Sequence, residues 1–262
     1  MSRGGAIAVA LLLAPWTSAA GATAPAPAAR VAVAAAADLQ FAFDEIGTAF
    51  RAANPDVELT VTYGSSGTFF AQLSTRAPFD LYLSADVDYP RRLVAAGLAV
   101  PDSLFRYAIG QIALWVPAAS PLDLERDGID ALLAPSVRTI AIANPRHAPY
   151  GRAAEAALRT LGVYERVRAR LVLGENIAQT AQFVESGAAD VGIVALSLAL
   201  APRLQATGRH WLVPRDSHPP LEQGGVILEW ARDRHAAERL RAFLVGPEGR
   251  RLLDRFGFLP PP

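Results

Sequence analysis

Two adjacent serines stand between two glycines in the segment Gly64-Ser65-Ser66-Gly67. Their hydroxyl groups can donate hydrogen bonds to ligand oxygens, and the flanking glycines let the backbone approach a ligand closely. The residues that follow have the pattern of a helix, so the segment also presents unpaired backbone N–H groups and the positive end of a helix dipole. These features favour an oxyanion as the ligand, and the alternative is that Ser66 only caps the helix.

The same succession of an apolar strand, a short turn and an amphipathic helix occurs four times. Several helix N-termini that meet at one point form a neutral cage for an anion, and such a cage needs no lysine. At one turn Pro149 stands at a helix start, where its missing N–H costs nothing and the N–H groups of Tyr150 and Gly151 stay free. The four junctions join residues 31–37 to Asp38, 58–63 to 64–67, 139–143 to 144–151, and 169–173 to 174–176.

Catalytic and metal chemistry have weaker support in the sequence. The serine segment lacks the Gly-x-Ser-x-Gly spacing of a hydrolase nucleophile, and no histidine pair has the spacing of a zinc site. The chain contains neither cysteine nor lysine, which argues against thiolate metal sites and against a phosphate-loop nucleotide site. We therefore expect no enzyme activity, no resident metal and no cofactor, with a serine-dependent hydrolase as the less favoured alternative. The four histidines are His147, His210, His218 and His235.

Composition and charge limit the class of protein further. Of the 262 residues 52% are hydrophobic and 19% charged, which is typical of a packed α/β protein. The 25 acidic residues balance the 25 basic ones without long runs of one sign, so we expect neither nucleic acid nor an anionic membrane as partner. Arg3, the apolar residues 6–14 and small residues near position 22 indicate a signal peptide over residues 1–22, followed by a disordered leader over 23–29. These features predict secretion, and we expect the mature protein to be a monomer that is free in its compartment.

The order of elements predicts an α/β fold with two lobes. A β-α-β-α-β-α pattern fills the first part of the chain, a long strand is predicted over residues 106–116, and the alternation then restarts. We expect lobe 1 to comprise residues 30–108 and 229–262, and lobe 2 residues 109–228. Each lobe should be a mostly parallel sheet flanked by helices, and two crossings of the chain form a hinge that permits closure on a ligand.

Six short motifs of this chain resemble those of the periplasmic molybdate-binding proteins of ABC importers, in the same order. The similarity covers roughly residues 31–258 and implies a type II periplasmic binding protein fold. It also implies a cleft for molybdate, or tungstate, and delivery of the anion to an ABC permease; sulfate and phosphate are the alternative anions. The motifs are Ala34–Leu39, Tyr63–Thr68, Pro78–Asp86, the segment from Ile142 to Gly151, Gly174–Ile177 and Gly192–Ala195.

The resemblance also implies which residues bind the anion. Ser66 matches a hydroxyl of the family, and Tyr150 and Ile177 would contribute main-chain N–H groups at helix starts. Two positions differ: Asp38 stands where many members have serine, and Ala195 where many have tyrosine. Ser65 is a further candidate from its position in the glycine-flanked loop.

The carboxyl group of Asp38 requires a physical explanation beside an anion. Two unit charges about 4 Å apart repel by roughly 4 kcal/mol at an effective dielectric constant of about 20, and a dianion doubles this. The side chain could cap its own helix, which is the favoured alternative, or stay protonated and donate a hydrogen bond. It could also be neutralised by Arg146 or His147, or coordinate the metal centre of the anion.

Overall fold

The computed structural model describes Met1 and residues 29–261. Apart from Met1 and Ala29, the predicted signal peptide and leader lie outside the described residues. Ala29, predicted to end the leader, instead begins the first strand and pairs with Val57.

The elements follow the predicted alternation closely. The strands are β1 Ala29–Ala36, β2 Val57–Gly64, β3 Leu81–Ser84, β4 Phe105–Gly110, β5 Ile112–Pro117, β6 Ile140–Ala143, β7 Leu171–Gly174, β8 Val191–Ala195, β9 Gly208–Leu212 and β10 Leu221–Ile227. The helices are α1 Gln40–Ala53, α2 Ser66–Ser74, α3 Asp88–Ala95, α4 Leu124–Asp127, α5 Pro149–Thr160, α6 Tyr164–Val167, α7 Ile177–Glu185, α8 Leu196–Ala199, α9 Pro202–Thr207, α10 Arg234–Val245 and α11 Pro247–Arg255.

The described strands form two five-stranded sheets, each the centre of one lobe. The strand order is β2-β1-β3-β10-β4 in the first sheet and β7-β6-β8-β5-β9 in the second. In each sheet the first three strands are parallel and the other two pairings are antiparallel. The two sheets are therefore mixed rather than mostly parallel as predicted, with the same topology in both lobes. The predicted α/β fold with two lobes is confirmed.

The chain passes between the sheets at two places. β4 and β5 lie in different sheets, so the single long strand predicted over residues 106–116 is wrong. The break falls at Gln111, whose side-chain Nε2 donates a hydrogen bond to the Gly257 carbonyl at 2.7 Å. The second crossing lies between Leu212 and Leu221, because β10 pairs with β3 and β4 of the first sheet. Strand β10 therefore belongs to lobe 1, whereas the sequence-based prediction assigns residues 109–228 to lobe 2.

Apolar side chains hold the helices against the sheets. On α1, Phe43, Ile46 and Phe50 are buried at helical spacing and pack on the first sheet. The core of the second lobe extends across the cleft and includes Ala37 and Ala85 from the first lobe. This shared core means that the two lobes are in contact. Within residues 29–261 no helix is long and apolar enough to cross a membrane.

Candidate anion-binding site

A small cavity lies between the lobes where the four predicted junctions meet. The space between its walls that no atom occupies is about 200 Å³, including the part that is open to solvent. The first lobe lines it with residues that follow β1, end β2 and follow β3, and the second lobe with the starts of α5 and α7. The strand ends of both sheets therefore face one point, as expected for a ligand site in an α/β protein. The lining residues are Ala36, Ala37, Asp38, Gly64, Ser65, Ser66, Ala85, Ala148, Pro149, Tyr150, Asn176 and Ile177.

Backbone N–H groups at three helix starts are available to a ligand. Ser66 begins α2, Tyr150 follows Pro149 at the start of α5, and Ile177 begins α7. A first-turn amide has no acceptor inside its own helix, and within the described part of the chain no other group accepts from these three. Three helix dipoles also direct their positive ends to the cavity. The arrangement can hold an oxyanion without a cationic side chain in the lining.

Ser66 provides a hydroxyl at the cavity wall. Its Oγ accepts a hydrogen bond from the Ala85 N–H at 3.0 Å, and its carbonyl accepts one from the Tyr82 hydroxyl at 2.7 Å. The Ser66 hydroxyl proton has no acceptor among the described residues, so it is free for a ligand oxygen. Ser66 is the first residue of α2, whose N-cap position is Ser65, so the side chain of Ser66 does not cap the helix.

Ser65 joins the two lobes. Its Oγ donates a hydrogen bond to the His147 carbonyl at 2.6 Å, and the Gly67 N–H donates to the same oxygen at 2.8 Å. Because its proton is used across the cleft, Ser65 acts in this conformation by holding the lobes together. It still lines the cavity as predicted, beside the free hydroxyl of Ser66.

Asp38 is buried at the cavity and belongs to a network across the cleft. Its Oδ2 accepts hydrogen bonds from the Tyr150 hydroxyl at 3.0 Å and from Gln223 Nε2 at 2.5 Å. Gln223 Nε2 also donates to the Tyr150 hydroxyl at 3.1 Å. Neither α1 nor the helical turn Ala37–Leu39 has a side-chain cap, so the interpretation of Asp38 as a helix cap is wrong. The carboxylate instead accepts from side chains of two other elements, Tyr150 of α5 and Gln223 of β10.

The surroundings of Asp38 change its proton affinity. Burial disfavours the charged form of the carboxyl and raises its pKa, whereas the hydrogen bonds from Gln223 and Tyr150 lower it. The effect of burial is larger, and the pKa rises from 3.8 to about 6. Burial and the neighbouring Asp38 also raise the pKa of Tyr150 well above its usual value. The Oδ1 atom of Asp38 is buried and has no hydrogen-bond partner among the described residues.

The remaining predicted residues differ in their placement. Ile177 lines the cavity at the start of α7, where Asn176 Oδ1 accepts from the Gln179 N–H at 3.0 Å and caps the helix. Ala195 does not line the cavity, because it ends β8 opposite Ile112 and its side chain is fully buried in the core.

Several residues that the sequence did not indicate complete the site. Gln223 reaches Asp38 from β10, although its distance in sequence gives no signal of this contact. At the rim, Arg152 from α5 donates to Asp86 Oδ2 at 2.6 Å and to the Tyr89 hydroxyl at 3.3 Å. These contacts close a second side of the cleft with an ion pair between the lobes.

A serine, a histidine and a glutamate meet near the cavity, but their geometry does not support hydrolysis. His147 Nδ1 lies 3.0 Å from Ser65 Oγ, and its Nε2 lies 3.6 Å from Glu175 Oε2. The hydroxyl proton of Ser65 goes to the His147 carbonyl rather than to the ring. Opening of the lobes to admit a substrate would separate Ser65 from His147. Among the described residues no cluster of three His, Cys, Asp or Glu side chains could hold a metal ion.

Comparison with known protein families identifies the family of this chain. Residues 31–259 match the family model described as bacterial extracellular solute-binding protein. The chain belongs to this family. It is 37% identical to the molybdate-binding protein ModA of Rhodobacter capsulatus, over 82% of each chain. It is 36% identical to the ModA of Azotobacter vinelandii, over 77% of this chain and 79% of that one.

A solved structure agrees with these relatives. The periplasmic molybdate-binding protein of Azotobacter vinelandii superposes with a TM-score of 0.82 at 31% identity, covering 88% of this chain and all of that one. The names of these relatives describe binding proteins rather than enzymes, in agreement with the sequence prediction.

Proposed function

We propose that this protein captures molybdate in the cavity between its lobes and delivers it to an ABC permease. The observation that carries the proposal is the meeting of four strand-to-helix junctions, two from each lobe, around one buried cavity. The names of the relatives above support the anion class, and the backbone N–H groups at the helix starts explain how a dianion can be held without a cationic side chain. In the same proposal the protein is periplasmic and monomeric.

The anion would be bound by dipoles rather than by opposite charges. The N–H groups of Ser66, Tyr150 and Ile177 and the hydroxyl of Ser66 can each donate to a different oxygen of a tetrahedral ligand. Such donors are fixed by the helices before the ligand arrives, so little ordering is needed on binding. The role of Ser65 would be to close the cleft over the anion.

Size provides the basis for selection among tetrahedral dianions. A cavity that fits molybdate or tungstate leaves sulfate with fewer contacts, because sulfate is smaller. We therefore include tungstate as a second ligand of the same site. Phosphate carries a proton near neutral pH, which distinguishes it from the other three anions.

Calorimetric titration with molybdate, tungstate, sulfate and phosphate tests the proposal. We expect tight binding with one anion per chain for molybdate and tungstate, and weak or absent heat for the other two. Binding of sulfate or phosphate alone would assign the protein to another oxyanion. Turnover of an ester substrate that is lost in Ser65→Ala would instead support the hydrolase alternative.

A further inference from the structure

The two carboxyl oxygens of Asp38 have different surroundings. Oδ2 accepts from both Tyr150 and Gln223, whereas Oδ1 is buried without a partner at a residue that lines the cavity. Both donors thus act on one oxygen. A carboxyl group arranged in this way has the pattern of a neutral acid, whose carbonyl oxygen accepts and whose other oxygen carries a proton to donate.

We propose that Asp38 holds a proton on Oδ1 in the anion complex and donates it to an oxygen of the bound dianion, so that capture takes up a proton. This inference rests on the proposed function of the cavity. On binding, the free carboxylate gains one proton from the solvent, the Oδ1–H bond forms, and no other covalent bond changes. The protonated acid adds a fifth donor to the three backbone N–H groups and the Ser66 hydroxyl.

Electrostatics makes the ionised alternative unfavourable. The dianion and a carboxylate would share a small, buried space, where repulsion is weakly screened. A like charge disfavours the ionised form of a carboxyl group, so an arriving anion raises the proton affinity of Asp38 further. Burial already brings the pKa of Asp38 to about 6 without an anion, and the repulsion from a bound dianion raises it further, so the group stays neutral in the complex.

The described groups that pack around Asp38 carry no positive charge, so a proton is what can neutralise its carboxylate. The titratable groups that face it are Tyr150 from α5 and Tyr107 from β4, and burial raises the pKa of both phenols, which therefore stay neutral. The neutral Gln223 comes from β10, and from α8 the Ser197 hydroxyl donates to the Asp38 carbonyl at 2.7 Å.

The other elements near Asp38 place no positive charge against its carboxylate. The start of α7 contributes Asn176 and Ile177, and β2 ends at Gly64. His147 lies in the cleft, but its ring contacts Ser65 and Glu175 rather than Asp38. Arg146, the other cation considered from the sequence, makes its hydrogen bond through its backbone N–H to Asn144.

Calorimetry at several pH values tests the proposal with molybdate as the probe. Between about pH 6.5 and 8.5 the free carboxyl is ionised and the bound one protonated, so Kd should rise by up to tenfold per pH unit. Titrations at one pH in buffers of different ionisation enthalpy should show uptake of up to one proton per anion. Asp38→Asn retains an N–H donor without a titrating group, so its Kd should be independent of pH and no proton should be taken up.

A matched variant separates this effect from general changes in charge. Asp44→Asn makes the same substitution on the exposed side of α1, outside the cavity, and should keep the pH dependence of the unaltered protein. Thermal unfolding of each variant confirms that it is folded before the titrations are compared.

The outcomes distinguish this inference from the proposed function. Tight molybdate binding with a constant Kd and no proton uptake would overturn the role of Asp38 and leave the proposed function intact. Affinity that increases with pH, or binding that Asp38→Asn abolishes at every pH, would also overturn it, because an ionised carboxylate would then be required. Absence of binding by the unaltered protein at every pH would overturn the proposed function itself.

Tyr150→Phe provides an independent readout of the same network. Loss of the phenol removes one hydrogen bond that stabilises the ionised form of Asp38, so the pKa of the carboxyl should rise. The pH at which Kd begins to increase should therefore move upward, whatever the change in absolute affinity. An unchanged onset would contradict the coupling between Tyr150 and Asp38.

Discussion

The Gly67 N–H donates a hydrogen bond to the His147 carbonyl at 2.8 Å and thereby joins α2 of the first lobe to the turn before α5 of the second. A Cβ atom at position 67 would lie 2.6 Å from that carbonyl oxygen and 2.9 Å from the Cα of His147. Both distances are shorter than van der Waals contact. The closed cleft therefore requires glycine at this position.

Gly67→Ala should weaken anion binding by about tenfold or more, equivalent to roughly 1.4 kcal/mol, because the added methyl group holds the lobes apart. Calorimetry measures the affinity, and small-angle scattering with ligand should show a less compact particle than the unaltered protein. Gly47→Ala is a matched control, since its Cβ would have neighbours no closer than 3.4 Å. Equal affinities for the two variants would contradict the proposed closure.

Ser66→Ala should weaken molybdate binding by about 1 to 3 kcal/mol, because a hydrogen bond to a charged ligand is lost. Ser65→Ala should instead act through closure, because its hydroxyl bonds to the other lobe, and should mainly increase the dissociation rate. Calorimetry and stopped-flow displacement separate the two effects. Unchanged affinity in Ser66→Ala would remove this hydroxyl from the site.

The Arg152–Asp86 ion pair should contribute modestly to closure, by less than about 1 kcal/mol, because both side chains are partly exposed. Arg152→Gln and Asp86→Asn should each increase the dissociation rate of the anion a few-fold, and the double variant should be no worse than either single one. The effect should diminish with added salt. Additive effects in the double variant would show that the two residues act separately.

Asp38 should make the unbound protein less stable as pH rises. Its pKa is raised from 3.8 to about 6, so the folded state binds more protons than the unfolded chain between these values, and stability is lost as pH increases through this range. Above pH 7 Asp38→Asn should therefore be more stable than the unaltered protein by about 1 to 3 kcal/mol. Denaturant unfolding at about pH 4 and pH 8 measures the difference, which should vanish at the lower pH.

Asp80 should have the opposite dependence on pH. Its buried carboxylate accepts from the Ala32 N–H at 2.6 Å and from the backbone and guanidinium of Arg232, and these bonds lower its pKa despite the burial. Its contribution to stability is present above the usual carboxyl pKa and is lost as pH falls. Asp80→Asn should cost about 2 kcal/mol near pH 7 and less in acid, as measured by denaturant unfolding.

Local sequence patterns predicted the parts of the site that depend on the backbone. The order of a strand, a turn and a helix determines where the first N–H groups of that helix lie. The positions of Ser66, Tyr150 and Ile177 at the cavity could therefore be predicted from this pattern and from the family resemblance. The helix α1 fits the predicted β-α alternation, and its buried face includes Phe43 and Phe50 at helical spacing.

Contacts between distant side chains could not be predicted in this way. Gln223 lies in a polar, glycine-containing segment and reaches Asp38 across 185 positions of sequence. Asp38 precedes an apolar helix and so resembled an N-cap, but tertiary hydrogen bonds override that local preference. The break at Gln111 was missed because apolar residues continue on both sides of it.

The position of β10 determines when the first sheet can be completed during synthesis. β10 lies between β3 and β4, although more than one hundred residues separate it from either of them in sequence. The strands of the second sheet, in contrast, all come from residues 112–212. As the chain emerges from the ribosome, the strands of the second sheet can all pair while the first still has a gap between β3 and β4. The lobe that contains the N-terminal strand is therefore completed last.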